Sequence, residues 1–265
     1  MRVGFVQNKP IFGNVLENLE GVEALLKGHS ADLFVLPELF ATGYQFKDFE
    51  ESRSLAEQVP GGVTTSALTA IAKKIDAYII AGLPEIDENK VYNSAVVTGP
   101  NGYIGKYRKI HLFDTEKACF QKGDLPLQLF DIAGAKVGVM ICFDWRFPET
   151  ARTLALRGAD LIAHPSNLVL AHCPQAMITR CLENRVFAVT ADRVGIEDRM
   201  ESLNFIGQSQ VVDPDGNILI RASKTEEEVH VVEIDLEKAR EKFLTSKNHI
   251  SKTVAKIFTA SCWTS

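Results

Sequence analysis

No apolar run in the 265-residue sequence approaches the ~20 residues that cross a bilayer, so no membrane span is expected. The first apolar stretch stops at Gln7, too soon for a signal peptide, and reads as an opening strand. Paired cysteines are lacking as well. The five cysteines, at 119, 142, 173, 181 and 262, are odd in number, irregularly spaced and without a CxxC pair. That disfavours a disulfide framework and predicts a reducing, cytoplasmic location, with each thiol either a buried small hydrophobe or a reactive group. Nor is there a surplus of positive charge. Lysine plus arginine number 29 against 34 acids, net −5, which argues against a nucleic-acid partner gripped through its phosphates. Low-complexity stretches and Pro/Gly/Ser linkers are missing, so residues 1–265 are expected to form one domain. With 46% hydrophobic and 24% charged residues, the chain has the balance of a globular protein able to bury a sizeable core.

What is present is an alternation of strand-like and helix-like segments. Residues 3–6 are apolar, and 14–27 carry Val15, Leu16, Leu19, Val22, Leu25 and Leu26 at helical spacing. Residues 33–36 form a short apolar run of the kind covered on both faces. A helix is predicted over 64–75 and a strand over 78–83. Segments 92–98 and 102–107 flank Gly99-Pro100-Asn101-Gly102 and predict a hairpin, as do 207–212 and 218–221 about Asp213-Pro214-Asp215-Gly216. Further strands are expected at 137–141, 161–163, 187–191 and 229–234, and helices at 149–157 (opened by Pro148), 175–186 and 236–243. Hairpins mixed with strand–helix units predict mixed sheets. Ala31-Asp32-Leu33-Phe34-Val35-Leu36-Pro37 echoes Ala159-Asp160-Leu161-Ile162-Ala163-His164-Pro165, which marks either two sheets built alike or shared strand grammar. After Glu241 the tail has Lys242, Lys247, Lys252 and Lys256 but no acid; a helix, an arm on a partner subunit and a frayed end are all compatible with it.

Ligands in such sheets gather beyond the carboxyl ends of strands, so the residues just past each apolar run are the candidates for chemistry. Glu38 comes after 33–36 and Pro37, Lys109 after 102–107 and Arg108, and Cys142 after 137–141. Each has a bland reading: a helix cap or half of a salt bridge for Glu38, part of a solvated basic edge for Lys109, a buried small side chain for Cys142. Together they are an acid, an ammonium and a thiol at the same kind of position. Pro148 at a helix start predicts that the thiol lies near a helix N-terminus, which favours thiolate.

Leu36-Pro37-Glu38, Lys106-Tyr107-Arg108-Lys109-Ile110-His111-Leu112-Phe113-Asp114 and Cys142-Phe143-Asp144-Trp145-Arg146-Phe147-Pro148-Glu149 resemble the three signatures of the nitrilase superfamily of carbon–nitrogen hydrolases. The similarity runs over roughly residues 1–235 and includes Gly82-Leu83-Pro84, Tyr92-Asn93-Ser94-Ala95 and 163–167. The resemblance implies a four-layer αββα sandwich that assembles as a homodimer or higher homo-oligomer, a Glu38–Lys109–Cys142 triad supported by Glu116, and neither metal nor organic cofactor. It implies a small-molecule amide substrate hydrolysed through a thioester on Cys142, with the oxyanion received by Lys109 and the backbone N–H of Phe143. Arginine at the position of Arg146 implies an amide or urea bearing a carboxylate, though a structural pair with Asp144 or Glu149 is the alternative. Asn167 matches a pocket position and is otherwise a turn residue. N-carbamoyl compounds are an alternative substrate class; nitriles are less expected, since nitrilases proper tend to be longer.

Competing readings fare less well. His111, His164, His172 and Cys173 lack metal-ligand spacing. A nucleophile elbow needs glycine two residues either side of the cysteine, where Met140 and Asp144 stand. Nothing near Cys142 proposes a papain-like histidine. A non-catalytic binding protein on the same fold is distinguished by the reactivity of Cys142, because structural thiols are inert.

Overall fold

The computed structural model describes residues 1–250 and residue 252. The apolar runs become the strands of two six-stranded mixed sheets, and the periodic segments become the helices outside them. In chain order the elements of the first half are β1 (Arg2–Gln7), α1 (Val15–Leu26), β2 (Leu33–Val35), α2 (Phe49–Leu55), α3 (Val63–Ile75), β3 (Tyr78–Asp87), β4 (Lys90–Gly99), β5 (Gly102–Arg108) and α4 (Glu116–Cys119). The second half continues with β6 (Leu129–Ile132), β7 (Ala135–Val139), a 3-10 turn over Cys142–Arg146, α5 (Pro148–Leu156), β8 (Leu161–Pro165), α6 (His172–Asn184) and β9 (Phe187–Ala191). It closes with β10 (Val194–Asp198), β11 (Ser202–Ile206), β12 (Gln210–Val212), β13 (Ile218–Arg221), β14 (Glu228–Glu233), α7 (Glu237–Arg240), β15 (Phe243–Thr245) and β16 (Asn248–His249).

Side-chain alternation builds the layers. Val3, Phe5, Leu33, Val35 and Ile80 point into a core shared with Val137, Val139, Ile162 and Val189 of the other sheet. Their neighbours Val6, Phe34, Ile79 and Ala81 point the opposite way, onto Leu19, Val22 and Leu26 of α1 and Leu68 and Ile71 of α3. On the second sheet, α5 approaches so closely that a Cβ on Gly138 would lie 2.8 Å from a Leu154 methyl. The molecule is therefore a four-layer αββα sandwich, as expected.

The two sheets share one plan. The first runs β14-β1-β2-β3-β4-β5, the second β6-β7-β8-β9-β12-β13. Read in those directions, both step antiparallel, parallel, parallel, antiparallel, antiparallel. The echoing segments supply β2 and β8, which hold the same central place.

Several expected boundaries change. The strand predicted at 78–83 runs on to Asp87, and the one at 207–212 starts only at Gln210, because Gly207 and Gln208 take φ of 58° and 60°. The helix predicted at 236–243 is the single turn α7, after which the chain forms the β15–β16 ribbon. Lys242 fastens this stretch by donating to the carbonyls of Asn184 and Arg185 at the end of α6. Most of the basic tail, with Lys256 and Cys262, lies outside the described residues. Sequence reasoning does not place α2, though its Asp48 cap, which accepts from Glu51 N–H at 2.9 Å, fits a legible D-x-x-E pattern. It also misses β6 and the β10–β11 ribbon, which is too short and too exposed at Ile196 for a clear period of two.

Candidate active site

Three strand ends deliver the three expected side chains to one place. Glu38 stands beyond β2 and is fully buried. Its backbone lies so near β3 that a Cβ on Gly82 would sit 2.5 Å from Glu38 Cα, and the next residue, Leu39, takes φ 51°. Lys109 directly follows β5 and is also fully buried; its N–H donates to Asn93 O at 2.8 Å. Gly123 seals that stretch, because a Cβ there would come within 2.2 Å of Arg108 O. Cys142 lies beyond β7 with φ 39°, a left-handed conformation of the kind that stores strain at functional sites.

A buried imidazole holds this backbone. His164 Nε2 donates to the carbonyl of Cys142 at 2.9 Å, while Nδ1 meets Thr190 Oγ1 at 3.2 Å. Burial lowers the His164 pKa to about 4, so the ring is neutral and Nε2–H is the donor. On the other flank Asp144, fully buried, accepts from Ile141 N–H at 2.9 Å, Tyr107 OH at 2.7 Å and His111 N–H at 3.1 Å.

The ammonium of Lys109 bridges two carboxyl groups, at 2.6 Å from Glu38 Oε1 and 2.7 Å from Glu116 Oε1. Asn93 Nδ2 donates to the same Glu38 oxygen at 2.7 Å. Tyr44 OH donates to Glu116 Oε1 at 2.8 Å, and Phe113 N–H to Oε2 at 3.2 Å. Glu38 Oε2 is buried and has no partner among the described residues. Cys142 Sγ donates to Asn167 O at 3.6 Å and lies within the fields of Glu38 and Lys109.

Burial raises the Glu38 pKa to about 7, with Lys109 pulling it down and Glu116 pushing it up. For Lys109 burial opposes the charge, but Glu116 and Glu38 outweigh it and hold the ammonium above the ordinary lysine value. Burial and the Glu38 charge push the Cys142 thiol well above its ordinary value, against the pull of Lys109. This corrects the expectation of a thiolate at a helix N-terminus. A 3-10 turn intervenes before α5, and the sulfur is buried.

Cys142 opens onto a cleft walled by Phe113, Phe143, Trp145, Leu168, Val169 and Leu170, with Asn167 its other polar lining. Both side-chain polar atoms of Asn167 are buried and without partners among the described residues. The N–H of Phe143 precedes the first hydrogen bond of the 3-10 turn, from Asp144 N to Ile141 O, so the turn supplies it no acceptor. Arg146 stands apart: it is exposed, its guanidinium is 5.6 Å from the Trp145 ring centre, and it does not line the cleft. Asp144 is engaged elsewhere, and among the described residues Arg146 forms no ion pair with Asp144 or Glu149. Among the described residues no group of three or more His, Cys, Asp or Glu is arranged to hold a metal ion. His111 lies against Asp144 and Phe147, and His164 supports Cys142.

Sequence reasoning assigns no roles to Tyr44, Asn93 and His164. Asn93 and His164 lie within segments that carry the family resemblance; nothing in the local sequence marks Tyr44 as facing the cluster.

Comparison with known proteins matches residues 2–242 to the family model described as carbon-nitrogen hydrolase. The chain is 52% identical to the protein named "Nitrilase" from Pyrococcus abyssi over 255 residues, covering 95% of this chain and 96% of that one. It is 38% identical to Omega-amidase NIT2 of Homo sapiens over 234 residues, covering 83% and 81%. Among solved structures, a CN-hydrolase superfamily protein from Xanthomonas campestris superposes with a TM-score of 0.82 at 24% identity, covering 91% and 92%, a likeness of fold. A carbon-nitrogen hydrolase from Helicobacter pylori G27 superposes with a TM-score of 0.79 at 28% identity, covering 91% of each chain.

Proposed function

The chain belongs to the carbon–nitrogen hydrolase family, whose members act on non-peptide C–N bonds, and we propose that it hydrolyses a small carboxamide to a carboxylic acid and ammonia through a thioester on Cys142. The observation that carries this reading is the buried Glu38–Lys109–Glu116 cluster, closed by bonds of 2.6 and 2.7 Å, in whose field the thiol of the cleft lies.

Glu38 takes the thiol proton as sulfur attacks the carbonyl carbon. Charge develops on the carbonyl oxygen, where Lys109 and the Phe143 N–H receive it; losing one such donor costs about 3 kcal/mol of barrier. Glu38 returns the proton to the departing nitrogen, and ammonia leaves. A water that gives its proton to Glu38 then cleaves the thioester, and the thiol is restored. Glu116 holds Lys109 from the side opposite Glu38, and Asn167 offers its unpartnered amide to the substrate.

A second reading, hydrolysis of a nitrile at the same thiol, is favoured by the name of the Pyrococcus abyssi relative. The proposed working unit is a homodimer or higher homo-oligomer, supported by the exposed Leu156 on α5 and Leu182 on α6, the outer helices of the second sheet. A cytoplasmic location is supported by Cys119, Cys142, Cys173 and Cys181 all being unpaired.

Ammonia release over aliphatic amides, ω-amides, N-carbamoyl compounds and nitriles tests the reaction. Cys142→Ala is expected to abolish release from every responsive compound while leaving circular dichroism and the dimeric mass by light scattering unchanged. Turnover of the variant at the wild-type rate would remove Cys142 from the mechanism; a monomeric mass would remove the dimer.

A further inference from the structure

The cleft above Cys142 has walls but no cation. Phe113 and Phe143 pack at 5.0 Å between ring centres, Phe143 meets Phe147 edge-on at 5.5 Å, and Leu168 is buried. No Lys, Arg or His lines the cleft among the described residues. The nearest ammonium, Lys109, is already paired with the carboxyl groups of Glu38 and Glu116. Arg146 faces solvent outside the cleft. Among the described lining residues, the polar side chain free to bind is Asn167, which is 3% exposed and offers an uncharged donor and an uncharged acceptor, both unpartnered.

We infer that the substrate carries an uncharged, apolar acyl group in place of a carboxylate. This rests on the thiol-hydrolase reading above and narrows it. A carboxylate entering these walls would lose its water without gaining a counter-ion, which is the costliest way to bury a charge. An apolar group instead gains from every wall it covers. Asn167 then pairs with the uncharged amide or with a neutral polar substituent. The inference departs from the carboxylate anchor that an arginine at position 146 suggested, because that side chain does not reach the cleft.

The test compares phenylacetamide and 3-methylbutanamide with succinamate, a small amide carrying a carboxylate. The apolar amides are expected to exceed succinamate in kcat/KM by about tenfold or more, the scale set by an unpaired desolvated charge. A second arm needs no turnover. Phenylacetaldehyde and succinic semialdehyde each add to a thiol, sulfur bonding to the carbonyl carbon and the thiol proton passing to the oxygen, and calorimetry reads their affinities. The apolar aldehyde is expected to bind more tightly, and Cys142→Ala to abolish binding of both. Leu170→Arg, at the half-exposed rim, is expected to narrow the gap by favouring succinamate.

Hydrolysis of succinamate at or above the rate for phenylacetamide, lost in Cys142→Ala, overturns the inference and leaves the thiol-hydrolase reading intact. Aldehyde binding in the expected order without ammonia from any amide supports the apolar preference and removes the amidase reading. Absence of both ammonia and aldehyde binding overturns the two together.

Discussion

Glu38 is the residue on which the proposed chemistry turns, because one carboxyl group accepts a proton from sulfur, gives it to nitrogen and takes another from water. Full burial brings its pKa to about 7, against an ordinary value of 4.5, and places both protonation states within reach near neutrality. Lys109 stays an ammonium throughout, because its two carboxyl partners outweigh the cost of burial. Below about pH 7 Glu38 is already protonated and cannot receive the thiol proton. We therefore expect kcat/KM to rise with pH and level off just above 7, with Glu38→Gln removing both the limb and the activity. A profile flat across this range would take the proton-acceptor role away from Glu38. The identities of these residues were legible because strand ends carry them in order. The state of the thiol was not. A helix dipole contributes about 0.3–1 kcal/mol, whereas full burial moves a pKa by up to several units at about 1.4 kcal/mol each. Burial is a tertiary property, and it decides the matter.

At the scale of elements, the site depends on how closely strands and turns approach. β2 ends where β3 presents a glycine: the Gly82 N–H donates to Pro37 O at 3.1 Å, and its missing side chain admits the Glu38 backbone. Gly82→Ala is expected to push Glu38 away from Lys109 while sparing the rest of the sheet. A misplacement near ~1 Å at a reacting group costs on the order of a hundredfold, so kcat should fall by that much with KM less affected. Unchanged kcat in a correctly folded variant would mean that the approach of Glu38 to β3 does not set its catalytic position. Strand and hairpin placement was readable from apolar runs and turn residues; Tyr92–Thr98 and Gly102–Tyr107 lie inside β4 and β5. The clamp from β8 onto Cys142 was not readable. His164 lies 22 positions away, and only the packing of β8 beside β7 brings its ring under the nucleophile's carbonyl.

The whole molecule repeats one sheet plan twice, face to face, and the buried charges sit at the carboxyl ends of the strands of that doubled core. The echo of β2 in β8 was visible in sequence, but its meaning required the pairing directions of both sheets. Such burial couples the site to global stability. A carboxyl group whose pKa rises from 4.5 to about 7 on folding contributes stability that is fully present below pH 4.5 and is lost as pH rises through 7. His164 acts in the opposite sense: with its pKa lowered from 6.5 to about 4, its contribution is present above 6.5 and lost as pH falls through 4. Over the shared window the two oppose each other, so the stability of the wild type alone conceals both. The difference between Glu38→Gln and wild type isolates the first, because His164 is common to them. Relative to wild type, the variant is expected to gain about 3 kcal/mol between pH ~4.5 and ~7. Urea denaturation at about pH 5 and about pH 8, compared at equal m-values, reads this gain as a shift in midpoint. A difference in stability that does not change with pH would show that folding leaves the Glu38 pKa where an unfolded chain has it, and the proton-shuttling role would then need another residue.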